Sequence, residues 1–296
     1  MMLDQQLIHA PVLDHRNVDL DGADRVTYLL EQSFRYDYPG PVQQLRHRLV
    51  VLPPAHHGNQ HVRAHRVDVR GAVARRVTRR DVRGNTVVRI RAERVERSVQ
   101  FQVGVLLERV HSDGPVRLAA EALTDPRLLR ATRLTAPDPR LRKLAGELPR
   151  GEATSLELAD RICQTVHSAI TYQYGVTSVR TTAADALAAG RGVCQDSAHI
   201  MLALCHLLAL PARYVSGHLL GDGGTHAWVE VVIPHADHAI AMPFDPCNGV
   251  PASAARYLTV ATGRDYADVP PTSGTYIGPS RGRLTTSRRL AVLAAA

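Results

Sequence analysis

One cysteine stands where a thiol could act as a nucleophile. Cys194 follows Gly190-Arg191-Gly192 and opens the run CQDSAHIMLALCHLL, whose apolar spacing predicts a helix that begins at the cysteine. At a helix N-terminus a thiol meets unpaired backbone N–H groups and the positive end of the helix dipole, and both favour the thiolate. The same N–H groups can stabilise an oxyanion. Taken alone, Cys194 fits a buried helix-terminal cysteine equally well.

Two further residues could complete a Cys-His-Asp triad. His226 follows Gly221-Asp222-Gly223-Gly224 and begins the strand HAWVEVVI, in which His226, Trp228 and Glu230 share one face. Asp245 ends a second apolar strand, AIAMPFD. A histidine at a strand end can act as a general base, and a carboxylate can hold its imidazole in the correct tautomer. Each signal is weak alone, since Asp-Pro is also a common start of a turn.

The elements around these residues fall into a β-rich half and a mixed half. Between residues 25 and 110, five or six short alternating runs are separated by turn signals such as Pro53-Pro54. This pattern predicts an antiparallel sandwich. Residues 111–137 are predicted to be a linker or irregular cover.

Helical periodicity then predicts helices over 140–148 and 155–170. The second of these has Thr154 or Ser155 as its N-cap, and its apolar positions are Leu156, Leu158, Ile162 and Val166. Strands return after Pro211, and the stretch RLTTSRRLAVL predicts a final strand.

The order and spacing of three motifs resemble the core of the transglutaminase-like family. They are GVCQDSAH at 192–199, HAWVEV at 226–231 and FDPCNG at 244–249. The segments PARYVSG at 211–217 and GRDYADVP at 263–270 are also similar to that family. Upstream, YDYPGPV and LRHRLVVLPP resemble the β-rich N-terminal domain of its bacterial members, so the resemblance covers nearly the whole chain.

The resemblance implies an α+β fold in which an N-terminal antiparallel β-sandwich precedes a papain-like transglutaminase core. In that core the nucleophile helix packs on an antiparallel sheet. The expected division is an extension over residues 1–24, a β-rich domain over 25–120, and a catalytic core with a C-terminal strand over 121–296.

The implied chemistry uses Cys194 as nucleophile, His226 as base and Asp245 as its orienting carboxylate. Cys194 would attack a carboxamide or peptide carbonyl to form a thioester, which then passes to water or to an amine. Its substrate would be a protein or a peptide, and no cofactor or metal is implied. The candidate residues for oxyanion stabilisation or support of the triad are Tyr172, Tyr174, Gln195, Asp196 and Trp228.

Composition agrees with a soluble protein and excludes few functions. The chain of 296 residues is 45% hydrophobic and carries a formal net charge of +8. It has no run long enough to span a membrane and no secretory signal pattern, so a cytoplasmic protein with reduced thiols and without membrane contact is expected. Nucleic-acid binding is not expected, because the arginines alternate with valines as on one solvated sheet face and aromatic residues for base stacking are few.

Two function classes therefore stay open alongside each other. The leading interpretation is an amide- or peptide-bond hydrolase, or an acyltransferase, that works through a cysteine. The alternative is a catalytically silent protein-binding or scaffold protein with the same fold, because a fold does not guarantee activity. Either could form a homo-oligomer.

Overall fold

The computed structural model describes residues 12–148, 153–221, 224–252, 255–279 and 281–296. Within these ranges no helix combines the length and the apolar character needed to cross a membrane. The α-helices of the described residues are α1 (Pro126–Leu129), α2 (Pro139–Glu147), α3 (Ser155–Ala169), α4 (Ala183–Ala189) and α5 (Cys194–Leu207).

The described chain has more residues in β-strands than in α-helices. The first eight strands are β1 (Arg25–Asp37), β2 (Val42–Leu52), β3 (His56–His57), β4 (Gln60–Arg70), β5 (Arg75–Arg80), β6 (Thr86–Val95), β7 (Ser98–Val110) and β8 (Val116–Leu118). The others are β9 (Thr171–Tyr172), β10 (Arg191–Gly192), β11 (Ala212–Leu219), β12 (His226–His235), β13 (His238–Asp245), β14 (Val250–Pro251), β15 (Tyr257–Gly263), β16 (Thr272–Ile277) and β17 (Arg283–Ala295).

Two antiparallel sheets pack face to face in the N-terminal half. One has the strand order β17-β1-β7-β4-β3 and the other has the order β16-β2-β6-β5. Strand β7 alternates buried and half-buried residues along most of its length, as expected when one face of a strand is packed and the other is solvated. Phe34 and Phe101 are fully buried, and the Phe101 ring lies 4.9 Å from the His47 ring of the opposite sheet.

The second half is built on a sheet with the order β14-β13-β12-β11-β15, to which β8 adds beside β13. Helix α5 packs on β12 and β11. The first eight residues of β12, from His226 to Ile233, are all buried, so this strand is covered on both faces. The helix and the sheet thus form one continuous core, which fixes the start of α5 relative to the start of β12.

Two side-chain amides join the halves by imitating a paired strand. Gln60 donates to the Thr259 carbonyl at 2.8 Å and accepts from the Thr259 N–H at 2.9 Å. Asn85 makes the same pair of bonds to Thr262, at 2.8 and 2.9 Å. All four residues are buried, so breaking either pair would leave unsatisfied polar groups away from water.

The predicted helices and the final strand are present, but the strand lies in a different place from the one expected. Instead of extending the core, β17 pairs with β1 over twelve residue pairs from Val26–Ala295 to Asp37–Arg283. The reason is that β1 would otherwise be an exposed edge with a row of unpaired backbone groups. Among the apolar positions of the helix predicted over 155–170, Leu156 is 42% exposed, whereas Ile162 and Val166 are buried.

The other expectations fit the observed elements to different degrees. The segment predicted as irregular cover contains β8 and α1, and β8 is ordered because it pairs with β13. Residues 1–11 of the expected N-terminal extension lie outside the described residues. The β-rich architecture with few helices agrees with the α+β class.

Candidate active site

The start of α5 places Cys194 at a helix N-terminus, as the sequence predicted. Gly190 ends α4 in the left-handed conformation, with φ of 63°, which glycine adopts without the penalty of a Cβ atom. Cys194 is half-buried at the start of this packed helix. Here a substrate carbonyl could meet the first N–H groups of the helix, which have no intrahelical partners.

Asp196 supports this turn from within the helix. Its Oδ2 accepts a hydrogen bond from the Val193 N–H at 2.8 Å and another from the Thr177 hydroxyl at 2.6 Å. Burial raises the pKa of Asp196, although both hydrogen bonds oppose the shift. The bond to Thr177 ties the loop after β9 to the nucleophile helix, so Asp196 is placed as a structural support rather than a group that reaches substrate.

His226 lies between Cys194 and Asp245. Its Nε2 atom is 2.7 Å from Asp245 Oδ2, and both side chains are buried. The Cys194 side chain lies close enough to the His226 ring to raise the pKa of the imidazole. Because Nε2 is engaged by Asp245, the other ring nitrogen is the one available to the thiol. The structure therefore brings together the three residues that the sequence singled out, although Asp222 and Gly223 of the preceding loop lie outside the described residues.

The carboxylate of Asp245 is held by several donors in addition to His226. Oδ2 accepts from the Asn248 side chain at 2.6 Å and from the Tyr257 hydroxyl at 2.8 Å, and Oδ1 accepts from the Cys247 N–H at 2.9 Å. Asn248 could have been noticed as part of FDPCNG, but no sequence signal marks Tyr257, which comes from a separate strand. Their effect is to fix both carboxylate oxygens.

Charge and burial have opposite effects on the pKa values of His226 and Asp245. Burial alone lowers the pKa of His226, but the hydrogen bonds and charges of Asp245 and Cys194 raise it to about 10. Burial alone raises the pKa of Asp245, but the bonds from His226, Tyr257 and Asn248 hold it below its usual value. The hydrogen bonds and charges around His226 and Asp245 therefore favour the imidazolium–carboxylate form of the pair, against the effect of burial.

Trp228 forms the wall behind the histidine. It is 1% exposed, and its ring stacks on the His226 ring with centroids 6.2 Å apart and an interplanar angle of 28°. It also meets the Tyr257 ring edge-on at 5.5 Å. Gly217 on β11 leaves room for it, because a Cβ atom there would lie 2.3 Å from Trp228 Cη2. Trp228 thus restricts the His226 ring by packing.

The remaining predicted support residues lie near Cys194 without converging on it. Tyr172 pairs with Gly192 through the parallel β9–β10 ladder, and its side chain is 60% exposed. Tyr174 is 86% exposed. The Gln195 amide points to the Ser178 carbonyl, 3.5 Å away. A role for either tyrosine as an oxyanion donor stays a prediction.

A buried ion network lies on the same strand as the histidine. Glu230 accepts from Arg213 at 2.7 Å and lies 2.6 Å from the His57 Nε2 atom of β3. Burial alone raises the pKa of Glu230, but Arg213 and His57 lower it to about 2. This network links the N-terminal half to the strand that carries His226. It also borders a cavity of about 550 Å³ that Trp228 lines but Cys194 does not.

Comparison with known families identifies the chain. Residues 142–246 match the transglutaminase-like superfamily, and residues 28–108 match the bacterial transglutaminase-like N-terminal region. The chain therefore contains a transglutaminase-like superfamily core and a bacterial transglutaminase-like N-terminal region, as the motifs around Cys194, His226 and Asp245 indicated.

Similar proteins include curated mycobacterial sequences and one solved structure. An uncharacterized protein of Mycobacterium leprae is 38% identical over 121 residues, which are 38% of this chain and 41% of the relative. An uncharacterized protein of Mycobacterium tuberculosis strain H37Rv is 34% identical over 131 residues, or 40% of this chain and 41% of the relative. These matches thus span well under half of each relative.

The solved structure is described as a "putative cysteine protease" from Cytophaga hutchinsonii. It superposes with a TM-score of 0.74 over 92% of both chains at 21% identity. At that identity the likeness establishes a shared fold and nothing about substrate.

Proposed function

We propose that this protein is a cysteine-dependent amide- or peptide-bond hydrolase or acyltransferase, with Cys194, His226 and Asp245 as its triad. The observation that carries the proposal is the buried hydrogen bond between His226 and Asp245, together with the interaction of the Cys194 thiol at the start of α5 with the same imidazole. A histidine held between a cysteine and a fixed carboxylate is the arrangement that activates a thiol.

The reaction would proceed through a thioester. The Cys194 sulfur attacks the carbonyl carbon while His226 carries the thiol proton, and the Cys194 N–H donates a hydrogen bond to the developing oxyanion. Collapse of the tetrahedral intermediate breaks the C–N bond, and the imidazolium gives its proton to the leaving amine. Water or a second amine then attacks the thioester, His226 takes the proton of that nucleophile, and the thiol is restored.

The substrate in this proposal is a peptide or a protein segment. Apolar and aromatic side chains stand exposed beside the nucleophile on the loop after α3, where Tyr172, Tyr174 and Val179 are more than half exposed. Such residues offer contact area to an extended chain. We also retain as proposals the division at about residues 24 and 120, the cytoplasmic location and self-association. In this division β16 and β17 belong to the two N-terminal sheets, and β8 belongs to the core sheet.

The test is the rate at which iodoacetamide alkylates Cys194, measured by peptide mass spectrometry from pH 6 to pH 9. Cys163 and Cys205 are buried, so Cys247→Ser leaves Cys194 as the accessible thiol and serves as the parent for comparison. In that background His226→Ala is expected to slow alkylation at pH 7 by at least about tenfold, because the imidazolium no longer stabilises the thiolate.

A different result would favour the silent scaffold. If Cys194 alkylates at the same rate with and without His226, the pair is not functional. If the pair is functional, glutamine-containing peptides can be assayed for release of ammonia and for incorporation of a primary amine, which separates hydrolysis from transfer.

A further inference from the structure

Arginines line the outer face of the four-stranded sheet. In the cross-strand register, Arg75 of β5 lies opposite Arg91 of β6, which lies opposite Arg46 of β2. Arg89 of β6 lies opposite Arg48 of β2 in the next row. Cross-strand partners project from the same side of a sheet, and the alternate residues of β6, such as Ile90, are buried against the other sheet. Arg79 continues the same side of β5, and we call these six residues the arginine face.

The face carries almost no compensating charge. Arg48 lies 3.9 Å from an Asp81 oxygen, whereas the other five arginines form no ion pair with any described residue. Burial lowers the pKa of Arg48, attraction to Asp81 opposes the shift, and repulsion from Arg89 adds to it. Glu93 projects beyond Arg91 at one end of the face, and it too lacks an ion pair within the described ranges. Like charges directly opposite one another destabilise a sheet, so the pattern has a folding cost.

Protection of the sheet edge explains only part of this pattern. Strand β5 is the last strand of its sheet, all six of its residues are exposed, and charged side chains on an edge discourage pairing with other molecules. Arg89 and Arg91 are on an interior strand, however, and so are Arg46 and Arg48, where edge protection requires no charge. Arg48 contacts Asp81 and donates to the Asp268 carbonyl at 3.1 Å, but Arg46, Arg89 and Arg91 need a separate reason.

We propose that the arginine face is a docking surface for an extended acidic segment of a partner protein. Guanidinium groups bind carboxylates bidentately. On β5, Val77 separates Arg75 from Arg79, whereas the arginines of β2 and β6 stand two residues apart, at a spacing of about 6.8 Å. That is also the repeat of same-side residues in an extended chain, so glutamates or aspartates at alternate positions match it. In the described part of the chain, β5 pairs only with β6, which leaves its outer side open to a further strand.

A nucleic acid fits these features less well. No phenylalanine, tyrosine or tryptophan projects from the arginine face on β2, β5 or β6, so unpaired bases have no ring to stack on. An open edge strand offers backbone hydrogen bonds to a polypeptide, and a sugar-phosphate chain cannot complete such a ladder. The proposal does not depend on the chemistry of Cys194.

The experiment measures binding of the full chain to a fluorescein-labelled 15-residue peptide with glutamate at alternate positions and threonine between. Fluorescence anisotropy is followed at low salt, with a 20-base-pair DNA duplex as a second probe. The test variant is Arg75→Gln/Arg89→Gln/Arg91→Gln. The matched control, Arg130→Gln/Arg133→Gln/Arg142→Gln, removes the same charge from three exposed arginines that are remote in sequence and form no ion pair with described residues.

The test variant is expected to bind the peptide at least about tenfold more weakly than the wild type, and the control less than about twofold. At low salt the melting temperature of the test variant should be at least that of the wild type, since repulsion between opposed arginines is removed. If the triple variant does not fold, the double variant Arg75→Gln/Arg79→Gln on the edge strand replaces it, and its affinity for the peptide is expected to fall about threefold.

Three results would overturn the proposal. The first is an equal loss of peptide affinity in the control variant, which would mean that binding depends only on net charge. The second is tight binding of the DNA duplex through the same arginines without binding of the peptide. The third is the absence of peptide binding by the wild type at low salt.

Discussion

The buried carboxylate of Glu230 gives a quantitative test of how the two halves are held together. Its side chain is 4% exposed and bonds both to Arg213 and, across the interface, to His57 of β3. Replacing it by glutamine keeps the shape but leaves the Arg213 cation buried without its counter-charge. Removal of one partner from a buried pair costs about 3–5 kcal/mol, so the Glu230→Gln variant should lose that much free energy of unfolding at pH 7.

The pH dependence of this loss follows from the direction of the pKa shift. The folded-state pKa of Glu230 is lowered from 4.5 to about 2, so its stabilisation is fully present above pH 4.5 and is lost as pH falls towards 2. At about 1.4 kcal/mol for each pH unit, the whole contribution is about 3 kcal/mol. The difference in free energy of unfolding between the wild type and Glu230→Gln should therefore be about 1 kcal/mol smaller at pH 3.5 than at pH 7.

Urea unfolding at pH 7, 5 and 3.5 measures this difference. Glu93→Gln, at an exposed carboxylate, is the matched control, and its difference in free energy of unfolding from the wild type should not shrink between pH 7 and pH 3.5. Replacing Arg213 by methionine in the Glu230→Gln background removes the unpaired cation and should recover part of the loss. A constant difference between wild type and Glu230→Gln from pH 7 to pH 3.5 would refute the reasoning, because it would mean that the carboxylate does not carry the charge.

Three further substitutions test the packing and hydrogen bonds around the site. Tyr257→Phe removes a donor to the buried Asp245 carboxylate and should lower the free energy of unfolding by about 1.5–3 kcal/mol in urea titrations; an unchanged midpoint would mean that the bond is not formed. Gly217→Ala places a Cβ atom against Trp228 and should cost about 1–3 kcal/mol, with slower alkylation of Cys194 as the second readout. Thr154→Ala removes the N-cap of α3 and should cost about 1 kcal/mol without altering that alkylation rate.

The local parts of the candidate site could be predicted because local sequence encodes them. The helix that begins at Cys194 is marked by the glycines before it and by its apolar spacing, and the N-cap of α3 is marked by Thr154. The strand that begins at His226 is marked by a glycine-rich loop and an apolar run. The order of these motifs then led to the family, since each motif is a contiguous segment.

The parts that were missed or misplaced depend on which distant segments meet. Tyr257 completes the bonds to Asp245 from another strand, and nothing near it in sequence marks that role. Strand β17 was recognised as a strand, but periodicity cannot say which edge a strand will join. The exposure of Leu156 likewise depends on how far along α3 the packed surface extends.

The sequence by itself determined most of the long helices and strands, the resemblance to the family and the three residues of the candidate triad. The tertiary structure decided the donors around Asp245, the network at Glu230, the alignment of arginines across β2, β5 and β6, and the sheet that receives the last strand. The physical reason is the same in each case. Backbone and side-chain periodicity act over a few residues, whereas pairing between strands and burial of charge depend on segments that are brought together only when the chain folds.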